Sequence, residues 1–275
     1  MKLNYKKLGQ GKPLFILHGL FGLSDNWATV GKMLSENFEV YLIDLRNHGN
    51  SPHSDEWTYS AMADDIKDTM VNVLGLMVNG NTSTINHYPS TILLGHSLGG
   101  KVAIQFASMY PEMLEKLIVV DMAPKDYPGN QFDFIGKLLS IDLSGMKSRK
   151  DAEVELRKII KDNATIQLLL KNIQWSESSS GSSSSSHLEW KFNLKVIAKN
   201  QDKIGKTFNI KNKIETPALF IRGERSNYIL DSDIPGIKKI FPNSEFKTIA
   251  GAGHWVHADK PGEFMECLKQ WILFS

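Results

Sequence analysis

Ser97 stands at the centre of the pentapeptide Gly95-His96-Ser97-Leu98-Gly99, which matches the pattern G-x-S-x-G. A serine in this pattern occupies a sharp turn from a strand to a helix, where its hydroxyl is exposed as a nucleophile. The neighbouring sequence fits, since residues 91–94 read as a buried strand and residues 102–107 carry an apolar helical stripe. We predict Ser97 as a nucleophile, with the backbone N–H of Leu98 as one oxyanion donor. An ordinary glycine-rich turn is the alternative.

A serine hydroxyl needs a base within hydrogen-bond reach and an acid that holds this base in the right tautomer. Of eight histidines, His254 alone follows the last predicted strand in a Gly-x-Gly-His loop, so it is the predicted base. His257 is the nearest competitor, but three residues farther on it should face the closing helix. His48 follows another strand, and we interpret it as a residue that fixes its polar loop.

The acid should lie on the sheet edge that carries Ser97. Asp121 ends the apolar run 114–120 and is the preferred acid. Glu224, just after the predicted strand 217–221, is the rival, and Asp231 and Asp233 are more distant options.

A second oxyanion donor is predicted after the strand at residues 13–17. This strand runs into His18-Gly19-Leu20-Phe21-Gly22, where backbone N–H groups are left free at the carboxyl edge. The N–H of Leu20 is the predicted partner of the Leu98 N–H. A simple glycine turn is the alternative.

These residues need a sheet that brings them to one edge. Strand and helix signals alternate, which is typical of a parallel sheet covered by helices on both faces. The predicted strands are 3–8, 13–17, 39–45, 91–94, 114–120, 217–221 and 246–249, and the helices between and after them are 26–36, 59–76, 98–107, 234–241 and 261–274.

Between residues 125 and 212 the strand signals vanish, and helices are predicted at 131–139, 150–161, 164–173 and 188–199. The resulting organisation is a core of residues 1–124 and 213–275, interrupted by an all-helical cap, 125–212, over the sheet edge. Residues 176–186 read SESSSGSSSSS, a polar tract predicted to be a flexible loop within the cap. Trp175 and Trp190 flank the tract and either pack or line a pocket.

Composition excludes several classes of function. The 275 residues carry 32 Lys and Arg against 30 Asp and Glu, a net charge of +2, so neither nucleic acid nor an anionic membrane is an expected partner. No apolar run reaches the ~18 residues of a membrane span. No metal-ligand spacing is present, and the single cysteine, Cys267, reads as a buried apolar residue. Without an apolar or Arg-rich leader, the chain is expected in the cytoplasm.

Six segments together resemble a known family: LFILHGLFGLSDNW, DLRNHGNSP, LLGHSLGGKVA, LIVVDMAP, FIRGERSNYI and AGHWVHADKP. They are similar to the YbfF-type bacterial esterases and their mitochondrial relatives, the α/β-hydrolase domain protein eleven group. The resemblance implies an α/β-hydrolase fold and the chain order nucleophile, acid, histidine. The usual acid position of the superfamily holds Ser226 here; bacterial members share this serine and the aspartate at Asp121, which supports Asp121 as the acid.

The resemblance also implies a serine hydrolase that cleaves short-acyl esters or thioesters beneath a helical cap, without a cofactor. The serine tract is foreign to the family pattern, and no mitochondrial presequence is seen. Three functions are therefore open. The first is hydrolysis of carboxylic esters through an acyl-enzyme, the second is hydrolysis of thioesters or carbon–carbon bonds by the same triad, and the third is ligand binding without turnover.

Overall fold

The computed structural model describes residues 1–75, 90–176 and 186–274. Nine strands are present in these ranges: β1 (Tyr5–Leu8), β2 (Lys12–Leu17), β3 (Phe38–Ile43), β4 (Thr91–His96), β5 (Leu114–Val120), β6 (Ile173–Trp175), β7 (Leu188–Trp190), β8 (Ala218–Gly223) and β9 (Ser244–Ile249).

Eleven α-helices are present in the same ranges. They are α1 (Ala28–Leu34), α2 (Tyr59–Val73), α3 (Leu98–Met109), α4 (Phe134–Leu138), α5 (Arg149–Ile159), α6 (Asn163–Lys171), α7 (Leu194–Lys199), α8 (Gln201–Ile204), α9 (Ile234–Ile240), α10 (Val256–Asp259) and α11 (Pro261–Phe274). Single 3₁₀ turns lie at Ser24–Trp27, Pro111–Met113, Gly129–Phe132 and Asp231–Asp233.

Seven strands form one sheet in the order β1-β3-β2-β4-β5-β8-β9. Only the pairing of β1 with β3 is antiparallel; the remaining pairs are parallel. Parallel strands place their carboxyl ends at one edge, so the residues that follow β2, β4, β5, β8 and β9 meet there. This edge brings the predicted site residues together.

The two faces of the sheet are buried in separate apolar clusters, because helices cover both sides. In β4 all six residues are buried, with Leu93 in one cluster and Ile92 and Leu94 in the other. This is why the strands read as continuous apolar runs in the sequence.

The insertion between β5 and β8 differs from the predicted all-helical segment. Residues 188–199 were expected to form one helix, but Leu188–Trp190 is a strand that pairs antiparallel with Ile173–Trp175, and the helix begins only at Leu194. The hairpin buries Ile173 and Leu188, to 0% and 2% exposure, a packing gain that outweighs helix propensity. Most of the serine tract, residues 177–185, lies outside the described residues, so its predicted flexibility stays a prediction.

The division into core and cap at residues 124 and 212 also stays a prediction.

Among the helices of the described ranges, none is both long enough and apolar enough to cross a bilayer.

Candidate active site

Ser97 lies in the turn between β4 and α3, with φ 54° and ψ −118°. This left-handed conformation is unusual for a serine and is maintained by close packing around it. A Cβ on Gly95 would lie 2.2 Å from the Gly99 carbonyl oxygen, and one on Gly99 would lie 2.5 Å from the His18 carbonyl oxygen. Only glycine fits at these two positions, which explains the pattern around the serine.

The structure brings Ser97, His254 and Asp121 together from three different strand ends. His254 Nε2 lies 3.0 Å from Ser97 Oγ, and His254 Nδ1 lies 2.7 Å from Asp121 Oδ2. A carboxylate can only accept, so Nδ1–H donates to Asp121 and the Nε2 lone pair faces the serine hydroxyl. In this tautomer, the imidazole is set to take the serine proton.

Asp121 is buried, at 0% exposure, directly after β5. It has φ 49°, a second left-handed non-glycine residue at the sheet edge. Its Oδ1 accepts from the Gly223 N–H at 3.3 Å, and its Oδ2 also accepts from the Ser226 hydroxyl. The serine at the usual acid position therefore donates to the carboxylate that contacts the histidine.

The other carboxylates weighed from the sequence have different partners. Glu224 is exposed and accepts from the Gly251 N–H at 2.8 Å. Asp231 pairs with Arg222, and Asp233 pairs with Lys125. Among the described residues, Asp121 is the one carboxylate hydrogen-bonded to the His254 imidazole.

The two competing histidines are occupied elsewhere. His257 stacks on Trp27, with ring centroids 4.1 Å apart, and lies near Phe264 of α11, as the sequence predicted. His48 Nδ1–H donates to the Arg46 carbonyl at 2.9 Å. Burial lowers the pKa of each imidazole to about 3, so both are neutral at pH 7.

In the part of the chain that the structure describes, no cluster of His, Cys, Asp or Glu could hold a metal ion.

Two residues at the site were not predicted from the sequence. Tyr228 stacks on the His254 imidazole with centroids 3.8 Å apart and planes 17° apart, and His96 Nε2–H donates to the His254 backbone carbonyl at 2.9 Å. Burial lowers the pKa of His96 far below its ordinary value, so its neutral ring is a fixed donor. The position of His96 inside the G-x-S-x-G pattern is a signal that could have identified it, whereas Tyr228 has no comparable pattern.

The loop after β2 is a tight turn in which the Gly22 N–H donates to the Gly19 carbonyl at 2.9 Å. Phe21 has φ 58° within this turn, and Asn172 of the insertion donates to the Phe21 carbonyl at 2.6 Å. Among the described residues, neither the Leu20 N–H nor the Leu98 N–H donates to a backbone carbonyl in a turn, loop or cap. Leu20 lines the cavity and Leu98 does not, and the role of both groups as oxyanion donors stays a prediction.

A cavity of about 260 Å³ opens above the serine. Its lining is mostly apolar and combines residues of the sheet edge with residues of the insertion: Leu20, Phe21, Ser97, Phe132, Phe134, Asp162, Thr165, Leu168, Tyr228, His254 and Trp255. Neither Trp175, which is 51% exposed, nor Trp190, which stacks on Phe192, is part of this lining.

A parallel sheet with helices on both faces, and a serine and a histidine at its carboxyl edge, define the class of protein. The sequence model of the α/β-hydrolase fold matches residues 12–261, and the chain belongs to this family. The predicted fold class is thereby confirmed.

Several similar proteins are named as esterases or lipases. A solved structure, a marine microorganism esterase, is 39% identical with a TM-score of 0.87, covering 98% of each chain. The esterase YbfF of Escherichia coli is 29% identical and covers 99% of both chains. The sn-1-specific diacylglycerol lipase ABHD11 of Danio rerio is 34% identical over 94% of this chain and 78% of the relative. The predicted relationship is confirmed, and the chain is a carboxylic ester hydrolase.

Proposed function

We propose that the protein hydrolyses carboxylic esters of short acyl chains through an acyl-enzyme intermediate. Ser97 attacks the acyl carbonyl, and His254 takes the serine proton and then gives it to the leaving alcohol. Asp121 orients the imidazole and stabilises its charged form. Water activated by His254 then attacks the acyl-enzyme and releases the acid.

The observation that carries this proposal is the pair of hydrogen bonds made by His254, at 3.0 Å to Ser97 and 2.7 Å to Asp121. Both lie within the range expected of a nucleophile and its base. The oxyanion of the tetrahedral intermediate is assigned to the N–H groups of Leu20 and Leu98, and Ser97 and Leu20 line one cavity.

The preference for short acyl chains is supported by the size of the cavity. Its volume of about 260 Å³ is below the ~300 Å³ at which sites for drug-sized ligands begin. We assign its covering wall to a cap formed by residues 125–212, which supply Phe132, Phe134 and Leu168. The ring and alkyl carbons of these side chains favour an acyl group without charge.

Replacement of Ser97 by alanine tests the nucleophile. Ser97→Ala should lower kcat on p-nitrophenyl butyrate by about 10⁶, as loss of a triad serine does. Ser108→Ala, on the same helix, is the matched control and should keep wild-type kcat. A fluorophosphonate should label the wild type stoichiometrically and leave Ser97→Ala unlabelled. Retention of turnover or labelling in Ser97→Ala would contradict the assignment.

The leaving group and the intermediate need their own measurement. Rapid-mixing kinetics with p-nitrophenyl acetate should show a burst of nitrophenolate if the acyl-enzyme accumulates. Comparison of p-nitrophenyl esters of two to twelve carbons, an acyl-CoA and a vinylogous diketone separates ester, thioester and carbon–carbon hydrolysis. A higher kcat/KM for the thioester or the diketone than for each ester would replace the proposed reaction.

A further inference from the structure

Lys101 is a buried cation on α3, the helix that directly follows Ser97. Its side chain is 1% exposed, and its Nζ donates to the carbonyls of Lys125 at 3.0 Å, Gly205 at 2.9 Å and Lys206 at 2.6 Å. Burial lowers its pKa to about 8, which leaves the ammonium mostly charged at pH 7. Among the described residues, no carboxylate forms an ion pair with it, so carbonyl oxygens satisfy all three N–H donors.

The three carbonyls belong to the two ends of the insertion. Lys125 is its first residue, and Gly205 and Lys206 directly follow α8. These ends also bind each other, since the Tyr127 N–H donates to the Gly205 carbonyl at 2.9 Å and the Thr207 N–H donates to Asp126 at 2.7 Å. The Lys101 ammonium thus binds the first residue of the insertion and the residues after α8, and it attaches both ends of the insertion to α3 at one point.

A second set of contacts leads from this point to the histidine. The Tyr127 ring lies 5.1 Å from Lys101 Nζ, within the range of a cation–π contact. The Tyr127 hydroxyl donates to the Tyr228 carbonyl at 2.9 Å and accepts from the Ala123 N–H at 2.8 Å. Tyr228 in turn stacks on the His254 imidazole.

We propose that Lys101 is a positioning residue for the substrate cavity, whose ammonium holds both ends of the insertion on α3, the helix that directly follows Ser97. The inference rests on the proposed roles of Ser97 as nucleophile and of residues 125–212 as cap. The cap side chains Phe132, Phe134 and Leu168 line the cavity, so their distance from Ser97 depends on where its two ends are attached. A charge-assisted bond to three carbonyls fixes that attachment more firmly than apolar packing, which is not directional.

Lys101→Met tests the proposal because it keeps the length of the side chain and removes the donors. Lys116→Met is the matched control: Lys116 is also buried, at 7% exposure, and donates to the carbonyls of Trp271 and Ile272 in α11, away from the insertion. For p-nitrophenyl butyrate, Lys101→Met should raise KM at least about tenfold with little change in kcat, because loss of a single charge-assisted bond is equivalent to about a factor of ten and this variant loses three. Lys116→Met should leave KM unchanged.

Hydrogen exchange supplies a readout independent of catalysis. In Lys101→Met, amides of residues 125–127 and 204–207 should exchange faster than in the wild type, whereas in Lys116→Met they should not. If Lys101→Met does not fold, Lys101→Gln, which keeps two donors without the charge, takes its place in both measurements. Failure of both variants to fold beside a folded Lys116→Met would overturn the proposal, because Lys101 would then be required for the fold itself.

The outcomes separate this inference from the proposed function. Equal KM values and equal exchange in the Lys101 and Lys116 variants, with Ser97→Ala inactive, would overturn the role of Lys101 alone. Activity in Ser97→Ala would overturn the proposed nucleophile whatever the Lys101 variants do.

Discussion

Replacement of Asp121 by asparagine is the sharpest test of the proposed acid. The two carboxylate oxygens have different surroundings: Oδ2 accepts from His254 Nδ1–H and the Ser226 hydroxyl, and Oδ1 accepts from the Gly223 N–H. An asparagine must place its NH₂ group, itself a donor, at one of these two positions. In the wild type both positions face hydrogen-bond donors.

With the NH₂ group at the Oδ2 position, asparagine donates to His254 Nδ1. The imidazole must then carry its proton on Nε2, the nitrogen 3.0 Å from Ser97 Oγ, and it cannot take the serine proton. With the NH₂ group at the Oδ1 position, it faces the Gly223 N–H, and two donors meet in a fully buried site. In either orientation the charge that stabilises the imidazolium is lost.

We therefore expect Asp121→Asn to lower kcat by about 10⁴, equivalent to about 5 kcal/mol of transition-state stabilisation. KM should change little, because the Asp121 side chain is not part of the cavity lining. The assay is the pH dependence of kcat with p-nitrophenyl butyrate, with folding checked by circular dichroism.

Glu224→Gln is the matched control, since it makes the same carboxylate-to-amide change on the neighbouring loop. Its carboxylate is exposed and accepts from the Gly251 N–H, so the variant should keep kcat within about twofold, as surface changes do. Near-normal kcat in Asp121→Asn with a large loss in Glu224→Gln would refute the assignment of the acid.

Two further predictions concern acid stability and chain length. The pKa of His257 is lowered from 6.5 to about 3, so between these pH values the unfolded chain binds a proton that the folded protein does not. The free energy of unfolding therefore has its full value above pH 6.5 and decreases as the pH falls towards 3. Between pH 7 and pH 5 the free energy of unfolding should decrease by about 2 kcal/mol through His257. His257→Phe keeps an aromatic ring on Trp27 without the titrating group, so in urea unfolding its stability should fall less over this range, by about 2 kcal/mol, than that of the wild type or of the exposed-site control His53→Gln. An equal pH dependence in the three proteins would contradict this prediction. Trp255 and Leu168 line both the active-site cavity and a second cavity of about 180 Å³. Trp255→Ala should therefore join the two cavities and raise the kcat/KM ratio of octanoate to butyrate p-nitrophenyl esters, and an unchanged ratio would show that Trp255 does not limit chain length.

Much of the site could be predicted because each residue follows a strand in the sequence. The serine is marked by two glycines that the crowded turn requires, and the histidine is marked by the glycine-rich loop after the last sheet strand. Parallel strands end at one edge, so locating the strand ends was sufficient to bring Ser97, Asp121 and His254 to the same place.

The contacts around the histidine could not be predicted in the same way. The choice between Asp121 and Glu224 depends on how two adjacent loops turn, and the left-handed φ of Asp121, 49°, has no counterpart in the residue sequence. The β6–β7 hairpin was missed because strands of three residues are too short to show an alternating pattern.

Local sequence thus determined the sheet, the strained serine turn and the order of the reactive residues. The apolar periodicity of a strand and the glycines of a tight turn can each be recognised within a few consecutive residues. Tertiary structure decided between Asp121, the preferred acid, and its rival Glu224, and it alone decided the stacking of Tyr228 and the attachment of the insertion through Lys101. These depend on contacts between residues as far apart as 133 positions for Asp121 and His254, and a packed core fixes such contacts whereas local propensity does not.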